Sequence, residues 1–286
     1  ECWLMKGGSH LIAAILTIVL ILGLQVHPAA AANLEEAIKS VASAVEEIRG
    51  LSFRKFPPTK TVTAEEALKE LNLEEWEGWE LAQQEYEALF MVKPGSDVRE
   101  IFRQFYTSAL LGCYNPEEDR IVLVEGGTLE KNVLAHELTH ALLDQYYPET
   151  FEKSFELTDP DLALASVIEG DAELVEEAYS HLASLGVYSD CDFNLSAALE
   201  DVPLAIVYIQ IFPYYEGYNF VCYLREHGGW KAVNMAYASP PESTEQVIHP
   251  EKYPGERPAT VEVKGVAYRG WERLGDDILG EAAIFV

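Results

Sequence analysis

The chain has few basic residues for its length. Its 286 residues contain 20 Lys and Arg against 48 Asp and Glu, which gives a formal net charge of −28 at pH 7. A surface with that charge repels nucleic acid and anionic membranes at long range, so neither is an expected partner. Cationic substrates and divalent metal ions suit the charge better.

The sequence also lacks an apolar run long enough to span a bilayer comfortably, which takes about 20 residues. The run from Leu11 to Leu24 has about 14 residues, follows Lys6 and precedes the small residues Ala29 to Ala32. This order is typical of a secretory signal peptide with its cleavage site. We therefore interpret residues 1–32 as a signal peptide or a retained N-terminal anchor. The remainder is expected to be secreted or otherwise extracytoplasmic, with membrane attachment only through that segment.

Cysteine is scarce, and three of the four cysteines lie beyond residue 32: Cys113, Cys191 and Cys222. An exported protein permits disulfides, but three cysteines allow at most one intrachain bridge, for example Cys191 with Cys222, or none. Their spacing matches neither a zinc motif nor a redox motif, which favours buried apolar positions for them.

The rest of the sequence is typical of an α+β protein that is mostly helical. The clearest strand is Arg120 to Val124, a β-favouring run that follows a polar turn over residues 114–119 and ends before Gly126 and Gly127. Apolar spacing and capping residues predict the helices. They cover 33–50, a short helix after the Thr63 capping box, 76–92, 97–112, one from Thr128 to Tyr147, 159–186, one from Val202 to a break at Pro213, and 215–226.

The helix that follows the strand carries the sequence His136-Glu137-Leu138-Thr139-His140. Two histidines four residues apart project from the same face of a helix and can share one ion, and neutral imidazole is a good zinc ligand. Glu137 lies about 100° further around the helix, so it can reach a water that zinc activates without becoming a ligand. This pattern indicates a zinc hydrolase with Glu137 as general base.

The alternative is a chance arrangement on a solvated helix, since this motif has false positives. Only five histidines lie beyond residue 32, and two of them have this spacing. The motif is framed by apolar residues, which predicts a buried helix. The strand just before it would offer an extended peptide an edge to pair with.

A third zinc ligand has to come from elsewhere in the chain. Glu169 interrupts an apolar helix face beside Gly170, and a buried carboxylate needs a partner such as a metal ion. Asp171, Glu173 and Glu176 remain alternatives, although solvated positions suit the two glutamates. Asp171 is the better candidate for an acceptor that orients a ligand imidazole through its other nitrogen.

The chain resembles the exported bacterial and archaeal gluzincin-type metallopeptidases, which are thermolysin-like in their zinc ligands only. The resemblance covers most of the chain beyond the signal segment. It rests on residues 136–145 (HELTHALLDQ) and 169–172 (EGDA), with weaker likeness over 45–51 (VEEIRGL), 212–217 (FPYYEG) and 243–250 (STEQVIHP). Leu143, where related sequences often carry Gln, and Cys113 depart from the pattern.

The resemblance implies two His and one Glu as zinc ligands, here His136, His140 and Glu169. It also implies a Tyr and a His that stabilise the oxyanion, for which Tyr214 and His249 are the candidates. Tyr214 as plain core and His249 as a loop residue are the alternatives. His181 and His227 show no partner pattern and are expected at ordinary positions.

These inferences predict a predominantly helical, zincin-like catalytic domain over residues 96–286, after an N-terminal helical region over 33–95. Its small β-sheet is expected to have an edge strand that precedes the HExxH helix. The predicted function is a Zn²⁺-dependent metallopeptidase that acts on peptide or protein outside the cytoplasm. The alternatives are a non-catalytic zinc-stabilised envelope binding module and a zinc hydrolase of a non-peptide amide. The oligomeric state is not predicted.

Overall fold

The computed structural model describes residues 16–18, 31–125, 131–155, 157–182, 202–261, 270, 273 and 275–284. Most of the predicted signal segment lies outside the described residues, as do Gly126, Gly127, Thr128 and Cys191. The described helices are α1 (Ala31–Arg49), α2 (Ala64–Glu70), α3 (Trp79–Ala88), α4 (Val98–Ala109), α5 (Lys131–Asp144), α6 (Pro148–Phe151), α7 (Thr158–Leu182), α8 (Leu204–Ala238), α9 (Thr244–Ile248) and α10 (Gly280–Ile284). The described strands are β1 (Leu16–Ile18), β2 (Thr59–Val62), β3 (Leu110–Asn115) and β4 (Arg120–Val124).

The fold is α+β and mainly helical, as predicted, with a small mixed sheet in the order β1-β3-β4-β2. Strand β3 pairs antiparallel with both β1 and β4, whereas β2 pairs parallel with β4. The bounds of β4 agree with the predicted strand. Its predicted place at the sheet edge is wrong, because β2 covers one side of β4 and β3 covers the other.

Strand β3 replaces the end of a predicted helix. The run from Asp97 to Gly112 was predicted to be helical, but α4 ends at Ala109 and Leu110 begins the strand. The antiparallel partner explains the difference, since Gly112 pairs with Leu123 and Asn115 pairs with Arg120 across the hairpin. The apolar spacing of residues 97–112 could not reveal that pairing, because it depends on the strand that follows them.

Helix α5 is buried along almost its whole length, from Val133 to Leu143. It contacts α1, α7 and the sheet. Val41, Ala42 and Val45 of α1 share one apolar cluster with Leu134 and Leu138 of α5. The predicted N-terminal region therefore contributes a helix directly to the core around the HExxH residues.

The chain after α1 is tied to the end of α5 by Gln145. The side-chain oxygen of Gln145 accepts hydrogen bonds from the backbone N–H groups of Arg54 and Lys55 at 2.8 and 3.2 Å. Its amide nitrogen donates to the backbone oxygen of Lys55 at 2.7 Å. At the end of α5, Tyr114 of β3 donates to Asp144 at 2.7 Å. These bonds fix the C-terminal end of the helix against the sheet and the N-terminal segment.

Helices α7 and α8 pack closely because glycines meet at their crossing. A Cβ on Gly170 would overlap the backbone oxygen of Gly217, and a Cβ on Gly217 would overlap that of Ser166. A larger residue at either position would push the helices apart. The crossing brings Tyr214, which lies one turn before Gly217 on α8, toward α5.

Helix α8 continues through Pro213, where the sequence predicted a break. A proline removes one helical hydrogen bond, and the buried neighbours Phe212 and Tyr214 hold the helix in place around it. The change of direction comes later, at Gly229, whose φ of 64° is left-handed. Within the described part of the chain, no helix has the length and apolarity needed to cross a membrane.

Candidate metal centre

The face of α5 that meets α7 carries His136 and His140, and Glu169 of α7 lies opposite both. His136 Nε2 is 3.2 Å from Glu169 Oε2, and His140 Nε2 is 3.3 Å from the same oxygen. The three ligand atoms lie within 4.8 Å of one another. The two histidine side chains are fully buried and that of Glu169 is nearly so.

This spacing fits a zinc ion. Two ligand atoms held about 2.0 Å from one ion at the tetrahedral angle lie about 3.3 Å apart, and both nitrogen–oxygen distances in the structure are close to that value. Within the described residues, neither ring nitrogen of His140 makes a well-aligned hydrogen bond, although Nε2 approaches Glu169. A buried imidazole without hydrogen bonds is costly, and a metal ion would satisfy one of its nitrogens.

The two imidazoles differ in their protonation. Burial lowers the pKa of His140 to about 4, so this ring is neutral, the form that binds metal. Burial alone would lower the pKa of His136 too, but its hydrogen bonds to Glu169 and Glu176 outweigh burial and raise it well above 6.5. For Glu169, burial alone would raise the pKa, but its contacts with the two imidazoles, of which His136 is the one that holds a proton, outweigh burial and lower it.

The other nitrogen of His136 faces two further carboxylates of α7. His136 Nδ1 lies 3.1 Å from Glu176 Oε2 and 3.6 Å from Glu173 Oε1. Glu176 is buried rather than solvated, with only 1% of its side chain exposed. The sequence signal for Glu176 is its spacing of seven residues from Glu169, which puts both on one face of the helix.

Asp171 does not contact the imidazoles, so the expectation that it orients one of them is wrong. It faces α1, where Nη2 and Nε of Arg49 lie 2.9 and 3.2 Å from its Oδ2. Arg49 also donates to the side chain of Asn234 at 2.8 Å, and its guanidinium lies 4.1 Å from the ring centre of Trp230. Two residues of separation on α7 turn Asp171 about 200° away from Glu169.

Tyr214 lies beside the cluster and His249 lies apart from it. The buried Tyr214 ring stacks on His136 with 6.1 Å between ring centres and 22° between planes. His249 instead pairs with Glu281 of α10 at 3.1 Å, and within the described residues no contact joins it to the three ligands. His181 lies 3.8 Å from Glu177, and His227 stacks on Tyr223.

Neither described cysteine is a ligand in this cluster. Cys113 is buried in β3, in agreement with the expected packing role, and Cys222 is a free cysteine of α8. Cys191, the suggested partner of Cys222, lies outside the described residues.

Comparison with known proteins identifies no relative: no family model, no curated protein and no solved structure matches the chain.

Proposed function

We propose that the chain is a zinc-dependent metallopeptidase that hydrolyses peptide bonds outside the cytoplasm. The observation that carries the proposal is the buried set His136, His140 and Glu169, whose spacing fits one tetrahedral ion. Three protein ligands leave a fourth position for water, as in catalytic zinc sites. The HExxH pattern of α5 and the apolar surroundings of the helix support the same interpretation.

In the proposed reaction each residue has a distinct task. A zinc ion held by the three ligands would lower the pKa of a water molecule and polarise the substrate carbonyl. Glu137, buried on the same helix, would take the proton from the attacking water and pass it to the leaving amine. Tyr214 would donate toward the developing oxyanion from its place beside His136. His249 has no task here, because its side chain is held by Glu281.

Strand β4 is not proposed as the substrate strand. Both of its edges are paired, so a substrate backbone would have to displace β2 or β3 to reach it. The acidic composition supports a cationic or metal-rich environment for the enzyme but does not select a cleavage sequence.

The burial of the ligands favours a second candidate, a non-catalytic binding module in which zinc serves the structure. All three side chains are at most 3% exposed, which is the accessibility expected of a closed structural site. The two candidates differ in what Glu137 does, since only the enzyme needs it as a base.

The test uses a mixed peptide library, with and without a chelator, and three variants of the full chain. We expect Glu137→Gln to keep zinc and to lose about 10²–10⁴-fold in peptide hydrolysis, the contribution of a positioned general base. Glu169→Ala should lose zinc, and Glu47→Gln, an exposed change on α1, should match the wild-type protein. Zinc-loaded wild-type protein that cleaves no peptide would overturn the enzyme proposal, and full zinc in Glu169→Ala would overturn the ligand assignment.

A further inference from the structure

We infer that His136 Nδ1, Glu173 and Glu176 form a second divalent-cation site, on the opposite side of the imidazole that serves the zinc triad. The site shares His136 with the proposed zinc centre, but it does not require that the chain be a peptidase. Its ligand set of one imidazole nitrogen and two carboxylates suits zinc, manganese or another first-row divalent ion.

The geometry brings the three ligand atoms together. Nδ1 of His136 is 3.1 Å from Glu176 Oε2 and 3.6 Å from Glu173 Oε1, and the three groups lie within 4.8 Å of one another. The lone pairs of Nδ1 and Nε2 point in different directions from the ring, so an ion at one nitrogen does not exclude an ion at the other. The two carboxylates are three residues apart on α7, which places them side by side on the helix.

An unsatisfied buried atom supports a ligand at this position. Glu176 Oε1 is buried and has no hydrogen-bond partner within the described residues, while Oε2 of the same carboxylate faces His136. A buried carboxylate oxygen with no donor is costly. A cation held between Glu173 and Glu176 would satisfy that oxygen, with which the imidazole of His136 makes no hydrogen bond.

The charge of the cluster gives a second reason. Three carboxylates of α7 face the two imidazoles: Glu169, Glu173 and Glu176. When all three are ionised they carry three negative charges, of which one zinc ion offsets two. Within the described residues, no lysine or arginine forms an ion pair with Glu169, Glu173 or Glu176. A second divalent ion would neutralise the remainder in a region where unpaired charge is expensive.

Solvent can reach the second site from the side of Glu173. Its side chain is 21% exposed, whereas those of Glu176 and His136 are almost completely buried. If both sites fill, the imidazole of His136 binds one ion through each nitrogen, and the proton of Nδ1 leaves to solvent. Binding of the second ion is therefore expected to be weaker than binding of the first.

The experiment counts metal ions per chain. The full chain is stripped with a chelator, dialysed to equilibrium against Zn²⁺ or Mn²⁺, and measured by mass spectrometry of the metal, with circular dichroism as the check of folding. We expect two zinc ions per wild-type chain and one in Glu173→Gln and in Glu176→Gln. Glu177→Gln, the adjacent residue whose partner is Tyr218, should retain two.

The outcomes separate the two sites. One ion per wild-type chain that is lost in Glu169→Gln and kept in Glu176→Gln would overturn the second site and leave the zinc triad in place. One ion that is kept in Glu169→Gln and lost in both Glu173→Gln and Glu176→Gln would overturn the triad instead and support this inference. Glu173→Gln is the milder change, because its side chain is partly exposed, so a folding defect in Glu176→Gln would not prevent the measurement.

Discussion

Helix α7 carries two buried acidic residues, Glu169 and Asp171, whose surroundings differ. Asp171 meets Arg49 of α1, so a positive charge of the protein itself lies 2.9 Å from its carboxylate. Glu169 meets His136 and His140 and shares its surroundings with further carboxylates. The first group of charges is balanced within the protein, whereas the second has more negative than positive charge.

The difference separates a charge that is balanced within the protein from one that could bind a metal ion, both on the same helix. A buried ion pair with several hydrogen bonds, such as Arg49 with Asp171, fixes the position of α1 against α7. A buried cluster with excess carboxylate has to take up protons or bind a cation from outside, and the second of these is the property expected of a metal centre. Buried acidic residues on a helix therefore do not by themselves indicate a site; the charge that faces them does.

The largest expected effect comes from breaking the balanced pair. Arg49→Met leaves the Asp171 carboxylate buried without its cation, and we expect a loss of about 3–5 kcal/mol in the free energy of unfolding. The double variant Arg49→Met with Asp171→Leu removes both charges and should recover most of that loss. Urea unfolding of the metal-loaded proteins measures both values.

The result would contradict the comparison if the double variant were as unstable as Arg49→Met. In that case the cost would come from lost packing of the guanidinium on Trp230 and not from an unpaired charge. Arg225→Met is the matched control, because the Arg225 guanidinium lies 4.7 Å from the centre of the same Trp230 ring and forms no ion pair with Asp171.

The sequence predicted one of these clusters much better than the other. The spacing of His136, Glu137 and His140 is local, and Glu169 interrupts an apolar helix face. One sequence is therefore enough to propose the four residues as one site. Arg49 and Asp171 are 122 residues apart, and no local pattern links an arginine at the end of one helix to an aspartate in another. Asp171 was therefore assigned to the wrong partner.

The sheet shows the same limit. The bounds of β4 could be predicted because its β-favouring residues are contiguous, and the α+β class follows from the mixture of patterns. The position of β4 inside the sheet depends on β2, a four-residue strand that begins 61 residues earlier at Thr59. Such a short strand has almost no hydrophobic periodicity of its own. Its long-range pairing with β4 nevertheless decides whether β4 lies at the edge of the sheet.

A third acidic residue of α7, Asp161, extends the comparison. Its buried carboxylate is neutralised by a proton and not by an arginine or a metal ion. Its carboxylate accepts a hydrogen bond from the backbone of Phe155 at 3.0 Å, and burial raises its pKa to about 7. The folded protein thus holds a proton that the unfolded chain, with a pKa near 3.9, releases. Stability from this group is present below about pH 4 and is lost as the pH rises to about 7.

Asp161→Asn should remove that loss. The variant keeps an oxygen for Phe155 but has no charge to bury, so it should gain stability over the wild-type protein between pH 4 and 7. Each unit of pKa shift is worth about 1.4 kcal/mol, so the gain should reach at most about 4 kcal/mol near pH 7. Above that pH it should stay constant. Urea unfolding of both proteins from pH 4 to pH 8 measures it. A difference that does not change with pH would show that Asp161 is ionised in the fold.

The smallest effect is expected at the exposed counterpart of the buried histidine–glutamate cluster. His249 and Glu281 are 3.1 Å apart, but 39% and 27% of their side chains are exposed, so water screens the pair. We expect His249→Gln to change the free energy of unfolding by less than about 1 kcal/mol. Zinc content and peptide hydrolysis should stay within about twofold of the wild-type values.

Tyr214→Phe, which removes the hydroxyl beside His136, is the matched comparison and should lower hydrolysis about 10²-fold with zinc unchanged. If His249→Gln reduced hydrolysis as strongly as Tyr214→Phe, His249 would have to leave Glu281 during turnover, and side-chain exposure would no longer distinguish this pair from the candidate metal centre.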